Sequence, residues 1–384
     1  MRLLHTSDWH LGRSLHGHDL SAAQAAFVDH LVESVVSERV DAVLLSGDVH
    51  DRALPPVEAL QLFAEALARL RDAGVTVVVV SGNHDAPTRL GDKAELLDPR
   101  VQIRTDPSRV GEPVVLADAH GEVAVYAVPY LEPAAVRHLL PGEDGDEPGP
   151  HTRVLGRAMR AVHDDRRRRG SRSVVLAHAW VTGGGGSESE RDIAVGGVAH
   201  VPAALFDGVD YTALGHLHRP QVLADGLRYS GSPLAYSFGE AGVAKSSWLV
   251  ELAADGLGSV EEIPAPTPHR LSRLRGTLEE LLGSPVYADR TTDLVSVVLT
   301  DGRLPLDAMA TLRRRFPGTL HLDWQPAGAQ VSTGSYGALT RGRSDLEVAE
   351  EFLLRVRGSG ATDAERATVR EALEDARRVE DAAA

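Results

Sequence analysis

Arg2-Leu3-Leu4-His5-Thr6, followed directly by Ser7-Asp8-Trp9-His10, is an apolar strand-like segment that empties into an Asp-x-His pair. The arrangement returns along the chain. Asp41 to Ser46 leads into Gly47-Asp48-Val49-His50-Asp51, and Val75 to Ser81 leads into Gly82-Asn83-His84-Asp85. Val174 to Ala177 ends on His178, and Tyr211 to Leu214 runs into Gly215-His216-Leu217-His218. In an open sheet the carboxyl ends of parallel strands line one edge, so five such loops can converge on one point. Taken singly each reads as a turn, because Asp and Asn favour loop starts through side-chain-to-backbone hydrogen bonds. Their repetition after strand-like runs is what marks a site.

Between these runs lie amphipathic stretches, which makes the first part of the chain an α/β layer structure. One helix is opened by Ser21 with Gln24 three residues later, a capping-box pattern, and carries Phe27, Leu31 and Val35 on one face. A second starts near Pro55 and Pro56, repeats Leu60, Ala64, Leu67 and Leu70, and stops at Gly74. Val123 to Val128 reads as a further strand, and Pro141 to Pro150 as an exposed loop. The cluster Pro264, Pro266 and Pro268 reads as a linker that closes a first domain over residues 1–263. Beyond it a strand (Leu294 to Leu299), a helix (Leu306 to Phe316) and a strand (Thr319 to Trp324) predict a small α/β module within 269–335. A Gly-rich stretch (Gly328, Gly334, Gly337, Gly342) precedes residues 344–384, which predict two short helices separated by Gly358 and Gly360. Ser344 with Glu347 and Thr362 with Glu365 are capping boxes, and Leu346, Ala349, Leu353 and Val356 form a narrow apolar stripe with Phe352 beside it.

The 384 residues include no cysteine, so disulfides, thiolate metal sites and cysteine nucleophiles are ruled out. A formal net charge of -15 argues against a wide basic face for gripping nucleic acid. The opening residues lack the charged and apolar regions of a secretory signal, and no apolar run approaches the roughly 20 residues that cross a bilayer. A cytoplasmic protein without a membrane role is expected.

Asp8, His10, Asp48, Asn83, His178, His216 and His218 offer oxygen and nitrogen donors suited to Mn²⁺, Fe²⁺ or Zn²⁺. That set is too large for one catalytic ion, whereas two ions sharing a carboxylate would use it. Ions roughly 3.5–4 Å apart can clamp the attacking and leaving oxygens of a phosphoryl displacement. Hydrolysis of a phosphate ester is the reaction these residues predict. His5 and His50 read as satisfied or exposed histidines beside the motifs, and the run Gly183 to Gly186 reads as a flexible loop.

These motifs, in this order, resemble those of the calcineurin-like metallophosphoesterases, and the intervening residues resemble the SbcD family of nuclease subunits in particular. The stretches that carry the likeness are His178-Ala179-Trp180-Val181-Thr182-Gly183-Gly184, Ser187-Glu188-Ser189-Glu190-Arg191, Tyr211 to Gln221 and Tyr229 to Phe238, and it covers residues 1 to 260 most strongly. The resemblance implies a β-sandwich flanked by helices, an α/β capping domain over the DNA groove, and a C-terminal helix-loop-helix. It implies Asp8, His10 and His218 on one ion, Asn83, His178 and His216 on the other, and Asp48 between, with Mn²⁺ as the metal. His84, which strand alternation would turn away from the metals, is by resemblance the catalytic histidine that protonates the leaving oxygen. The implied activity is exonucleolytic cleavage of double-stranded ends and endonucleolytic cleavage of hairpins, in DNA repair, recombination and replication-associated end processing. The implied partner is an SbcC-type coiled-coil ATPase, docked on Leu346, Ala349, Phe352, Leu353 and Val356, in a nucleoid-associated heterotetramer containing a homodimer of this subunit. Arg166, Arg167, Arg168 and Arg169 read equally as DNA-backbone contacts or as a solvated helix end. The rivals are a protein phosphatase or cyclic-nucleotide phosphodiesterase of the same superfamily, suggested by Asp51-Arg52 after Asp48, and a non-catalytic scaffold.

Overall fold

Two β-sheets stacked face to face take up all five motif-bearing strands. The computed structural model describes residues 1–140, 149–190, 200–326, 343–357 and 359–383, without the side chains of 355–357 and 375–383. The loop expected at Pro141 to Pro150 and the glycines Gly328 to Gly342 lie largely or wholly outside the described residues.

The chain begins with β1 (Arg2–Thr6), a hairpin of β2 (Ser14–Leu15) and β3 (His18–Asp19), and α1 (Ser21–Ser37). It continues through β4 (Ala42–Ser46), α2 (Val57–Asp72), β5 (Thr76–Val80), the single turn α3 (Pro87–Leu90) and β6 (Val101–Arg104). The second run comprises β7 (Val114–Asp118), β8 (Gly121–Val128), the turn α4 (Pro133–Val136), α5 (Pro150–Arg169), β9 (Arg172–His178), β10 (Tyr211–Gly215), β11 (Gln221–Ala224) and β12 (Leu227–Tyr229). A hairpin of β13 (Ser246–Ala253) and β14 (Gly256–Pro264) then returns to the first sheet. The strand orders are β14-β13-β1-β4-β5-β6 and β11-β12-β10-β9-β8-β7. Within them β1, β4, β5 and β6 are parallel to one another, as are β8, β9, β10 and β12.

The layers follow from the two-residue repeat of the strands. Leu3, Leu44, Val78 and Val80 point into the core between the sheets, where they meet Val125, Val174, Leu176, Ala213 and Trp248. Leu4, Val43, Val77 and Val79 point the other way, onto Phe27, Leu31 and Val35 of α1 and Phe63 and Leu70 of α2. The outer face of the second sheet packs Tyr126, Val175 and Ala177 against Val154, Leu155 and Met159 of α5. A strand buried on both faces reads as a continuous apolar run, which is why Val75 to Ser81 shows no polar alternation.

Three expectations are corrected. Ser21 and Gln24 form no capping box: the Ser21 N–H and hydroxyl donate back to the Asp19 carboxylate at 2.9 and 2.8 Å, and Gln24 is turned inward. The buried face of α2 is Ala59, Phe63, Ala66 and Leu70, whereas Leu60 and Ala64 are exposed. The helix face is phased by Phe63, whose ring lies edge-on to Trp9 at 6.4 Å between centroids. The helix predicted over Leu306 to Phe316 is shorter, and Leu306 is exposed. Pro264 is the last residue of the sheet-edge strand β14, a place where proline costs no ladder bond.

After residues 265–270 come β15 (Leu271–Gly276), α6 (Leu278–Gly283), β16 (Leu294–Leu299), α7 (Ala308–Arg315) and β17 (Thr319–Trp324), a parallel three-stranded sheet with two helices. It has its own core of Leu274, Leu281, Val297, Leu312 and Phe316. Leu271 and Leu294 seat it on Leu15, Leu20, Leu234 and Phe238 of the sandwich. The last two helices, Asp345–Arg357 and Asp363–Ala383, each start on a reciprocal capping box, Ser344 with Glu347 and Thr362 with Glu365. The second is 21 residues long, not short. Leu346, Ala349 and Leu353 are half-buried and Phe352 is exposed, while the side chain of Val356 lies outside the described set. Among the described residues no helix is long and apolar enough to cross a membrane.

Candidate metal centre

The carboxyl ends of β1, β4, β5, β9 and β10 open on one edge of the sandwich, and their loops are laced together by backbone hydrogen bonds. The Asp8 N–H donates to the Gly47 carbonyl, and the His10 N–H to the Asp48 carbonyl, each at 3.0 Å. Asp85 accepts from the N–H groups of Gly82, Val49 and His50 at 2.9, 3.1 and 3.0 Å, joining the loops after β4 and β5. Gln24, from α1, donates to the His10 carbonyl and accepts from the Gly12 N–H. Close approach explains the glycines of the motifs. A Cβ on Gly215 would stand 1.8 Å from the Ser46 carbonyl oxygen, and one on Gly82 would stand 2.1 Å from Asp48 Oδ1.

The seven side chains expected to hold metal meet here. Asn83 Oδ1 lies 2.8 Å from His178 Nε2 and 3.0 Å from His216 Nδ1. His10 Nε2 lies 3.0 Å from His218 Nε2, and Asp48 Oδ2 lies 3.5 Å from His10 Nε2 and 3.6 Å from His178 Nε2. Asp8, His10 and His218 present donor atoms within 4.8 Å of one another, as do Asp8, Asp48 and His178. Asp48 therefore stands between the two histidine groups. The loops reach this arrangement with Asp8, His10, Asp48 and His216 at φ values of 54°, 44°, 48° and 109°. Non-glycine residues rarely adopt such values, and they persist where a site over-determines them.

His84 is a further correction to the sequence reading, since it faces the cluster. Residues 82–85 form a turn rather than strand, so alternation does not govern them. The His84 ring stands edge-on to His10 with centroids 4.6 Å apart, and its Nδ1–H donates to the Asp51 carbonyl at 2.7 Å. That leaves Nε2 buried without a hydrogen-bond partner beside His10 and Asp48.

The electrostatics fit divalent cations. Burial, with the Asp48 charge second, drives the Asp8 carboxyl well above the usual carboxylate range. Burial pushes His10 and His216 well below the ordinary imidazole value and His178 down to about 4, so these rings are neutral, the form that ligates metal. His178 Nδ1–H donates to the Ser46 carbonyl at 2.9 Å, which turns its Nε2 lone pair to the cluster. His216 Nε2 is buried with no hydrogen-bond partner. Two buried carboxylates and a ring of neutral imidazoles are costly to bury by themselves and become favourable around positive ions.

The remaining expectations divide. His5 is buried and satisfied, Nδ1 with the Tyr211 hydroxyl at 2.9 Å and Nε2 with the Leu214 carbonyl at 3.1 Å. His50 is buried beside Asp85. The glycine run after His178 is pinned by Gln221, which bonds both the N–H and the carbonyl of Gly185. Arg166 to Arg169 do not reach the centre. They end α5 at the start of β9, about 20 Å of strand away from His178. Arg166 bonds the Gly208 carbonyl, Arg167 pairs with Asp164, and Arg168 and Arg169 pair with Asp165. Sequence reasoning missed the supporting residues Gln24, Asp85, Ser189, Glu240 and Lys245. Ser189 and Asp85 lay inside quoted motifs, whereas Glu240 and Lys245 carried no local signal and are revealed by burial alone.

Two family models match the chain. Residues 1–220 match the calcineurin-like phosphoesterase family. Residues 267–357 match SbcD_C, described as the type 5 capsule protein repressor C-terminal domain. Among solved structures, TT1561 of Thermus thermophilus is 16% identical, covers 68% of this chain and 98% of its own, and superposes with a TM-score of 0.39. A dimetal phosphatase from Danio rerio is 13% identical over 69% of this chain and 98% of its own, with a TM-score of 0.37. GAP50 of Plasmodium, the anchor in the inner membrane complex, is 11% identical over 85% of this chain and 98% of its own, with a TM-score of 0.40. The family match spans more than half of the chain, including every residue of the cluster, and on that ground the chain belongs to the calcineurin-like phosphoesterases.

Proposed function

We propose that the chain is the nuclease subunit of an SbcD-type complex, hydrolysing DNA phosphodiester bonds with two divalent cations, Mn²⁺ foremost. The observation that carries this reading is the convergence of Asp8, His10, Asp48, Asn83, His178, His216 and His218 from five strand ends. The SbcD-type C-terminal domain match favours a nuclease over a phosphatase or cyclic-nucleotide phosphodiesterase.

Asp8, His10 and His218 would hold one ion, Asn83, His178 and His216 the other, with Asp48 between. Bound cations of this kind lower the pKa of water and neutralise phosphate charge. The residues do the rest. The left-handed loops fix the donors, so substrate meets a preorganised site. His84, anchored through Nδ1 on the Asp51 carbonyl, presents Nε2 as the atom that delivers a proton to the leaving oxygen as the P–O bond breaks. The module of β15 to β17 would cap the DNA groove. The helix Asp345–Arg357, through Leu346, Ala349, Phe352, Leu353 and Val356, would dock an SbcC-type coiled-coil ATPase. Homodimerisation would complete a heterotetramer acting in DNA repair.

The test is cleavage of hairpin-ended duplex with Mn²⁺, with and without the partner ATPase, comparing wild type with His84→Ala. Loss of cleavage by roughly 10²- to 10⁴-fold with both metals retained is expected. Equal cleavage by the variant removes His84 from the mechanism, and failure of the wild type on DNA alongside activity on a phosphopeptide replaces the nuclease by a phosphatase.

A further inference from the structure

We infer that Ser189, Glu240 and Lys245 form a buried relay that positions His218 and thereby sets the affinity of one of the two cation sites, an inference that rests on the two-ion reading above. His218 is the last donor in the chain and lies in the loop beyond the end of β10. Ser189 Oγ accepts from His218 Nδ1–H at 2.6 Å and donates to Glu240 Oε1 at 2.6 Å. Glu240 Oε2 accepts from Lys245 Nζ, which also donates to the His218 carbonyl at 2.7 Å and to Ser232 Oγ at 3.0 Å. The His218 N–H donates to Glu190 Oε1 at 2.8 Å. Every polar group of His218 except Nε2 is thus engaged, and Nε2 is the atom turned to the cluster, 3.0 Å from His10 Nε2. His216 has no such backing on its Nε2.

Glu240 and Lys245 are 1% and 6% exposed. A buried ion pair seldom stabilises a fold more than apolar residues of the same volume would. What it supplies here is orientation. Hydrogen bonds behind a ligating histidine fix its tautomer and ring angle, and their loss typically lowers metal affinity about 10- to 100-fold. Ser189 is the intermediary because the carboxylate stands 3.9 Å from His218 Nδ1, too far for a direct hydrogen bond. None of the three residues reaches the cluster itself, so they act through His218 as positioning residues.

The test is equilibrium dialysis of Mn²⁺ against the full-length wild type, Ser189→Ala and Glu240→Gln, with thermal melting of each in its metal-free state. The wild type is expected to bind two equivalents. Ser189→Ala is expected to weaken one equivalent about 10- to 100-fold and leave the other close to wild type, with the metal-free melting temperature lowered by the unmatched His218 Nδ1–H. Glu240→Gln, which keeps an acceptor for Ser189 but removes the negative charge that pairs with Lys245, is expected to weaken the same equivalent less. Wild-type binding of both equivalents by Ser189→Ala overturns the relay. Weakening of both equivalents alike also overturns it by assigning these residues to general stability. A wild type that binds no Mn²⁺ defeats the two-ion reading instead.

Discussion

Asp8 and Asp48 illustrate what a metal centre demands of single residues, because each is buried, strained in φ and close to another acid. Without cations that arrangement opposes folding. Asp48→Asn is therefore expected to raise metal-free folding stability, by about 1.4 kcal/mol for each pKa unit of relief at Asp8, while abolishing stabilisation by Mn²⁺; melts with and without metal check both halves. His5 gives a pH prediction. Burial holds it at about 3 in the folded chain against 6.5 unfolded, so the unfolded state binds the extra proton between those values. Its contribution to stability is complete above pH 6.5 and is lost as pH falls toward 3. Denaturant unfolding of metal-free protein between about pH 6.5 and 5 is expected to show a slope shallower by up to about 1.4 kcal/mol per pH unit in His5→Gln than in wild type. The cluster residues were legible because each follows an apolar strand. His84 was legible as a residue and illegible as a direction, since a turn has no fixed alternation. Glu240 and Lys245 look like surface charges in a glycine-containing stretch until the fold buries them.

Helix α1 shows how an element can be right in place and wrong in purpose. Its span and its buried residues Phe27, Leu31 and Val35 follow from periodicity, yet Gln24 serves the loop that carries His10 rather than the helix end. Local sequence records a Ser and a Gln three apart; only tertiary packing decides which backbone groups they satisfy. Gln24→Leu is expected to leave helix content unchanged and to cost roughly 1–3 kcal/mol for each of the two backbone groups left unmatched, read from urea unfolding. The shifted face of α2 has a similar cause, because Phe63 against Trp9 outweighs the regular spacing of Leu60 and Ala64. The edge strands β7 and β11 and the returning hairpin of β13 and β14 were not anticipated. Of these only β13, paired with β1, joins residues distant in sequence, which local patterns cannot record; β7, β11 and β14 each pair with the strand next to them in the chain.

For the molecule as a whole, the net charge of -15 leaves little general attraction for a polyanion, so the proposed DNA substrate would have to be held by positive charge at the centre or on the proposed partner. Saturating Mn²⁺ is expected to raise folding stability by about 2.7 kcal/mol at roughly one hundred times its dissociation constant, seen as a concentration-dependent melting temperature that chelator reverses. A melting temperature insensitive to Mn²⁺ and chelator would contradict a metal centre of the proposed kind. The sandwich also has a consequence for the order of assembly. One sheet lends Asp8, His10, Asp48 and Asn83, and the other lends His178, His216 and His218. A slip of either layer by one strand spacing, about 4.8 Å, would part donors that now stand 2.8 to 3.6 Å from one another. Capture of the proposed ions would thus come late in folding, a latch that closes only after both halves have docked in register.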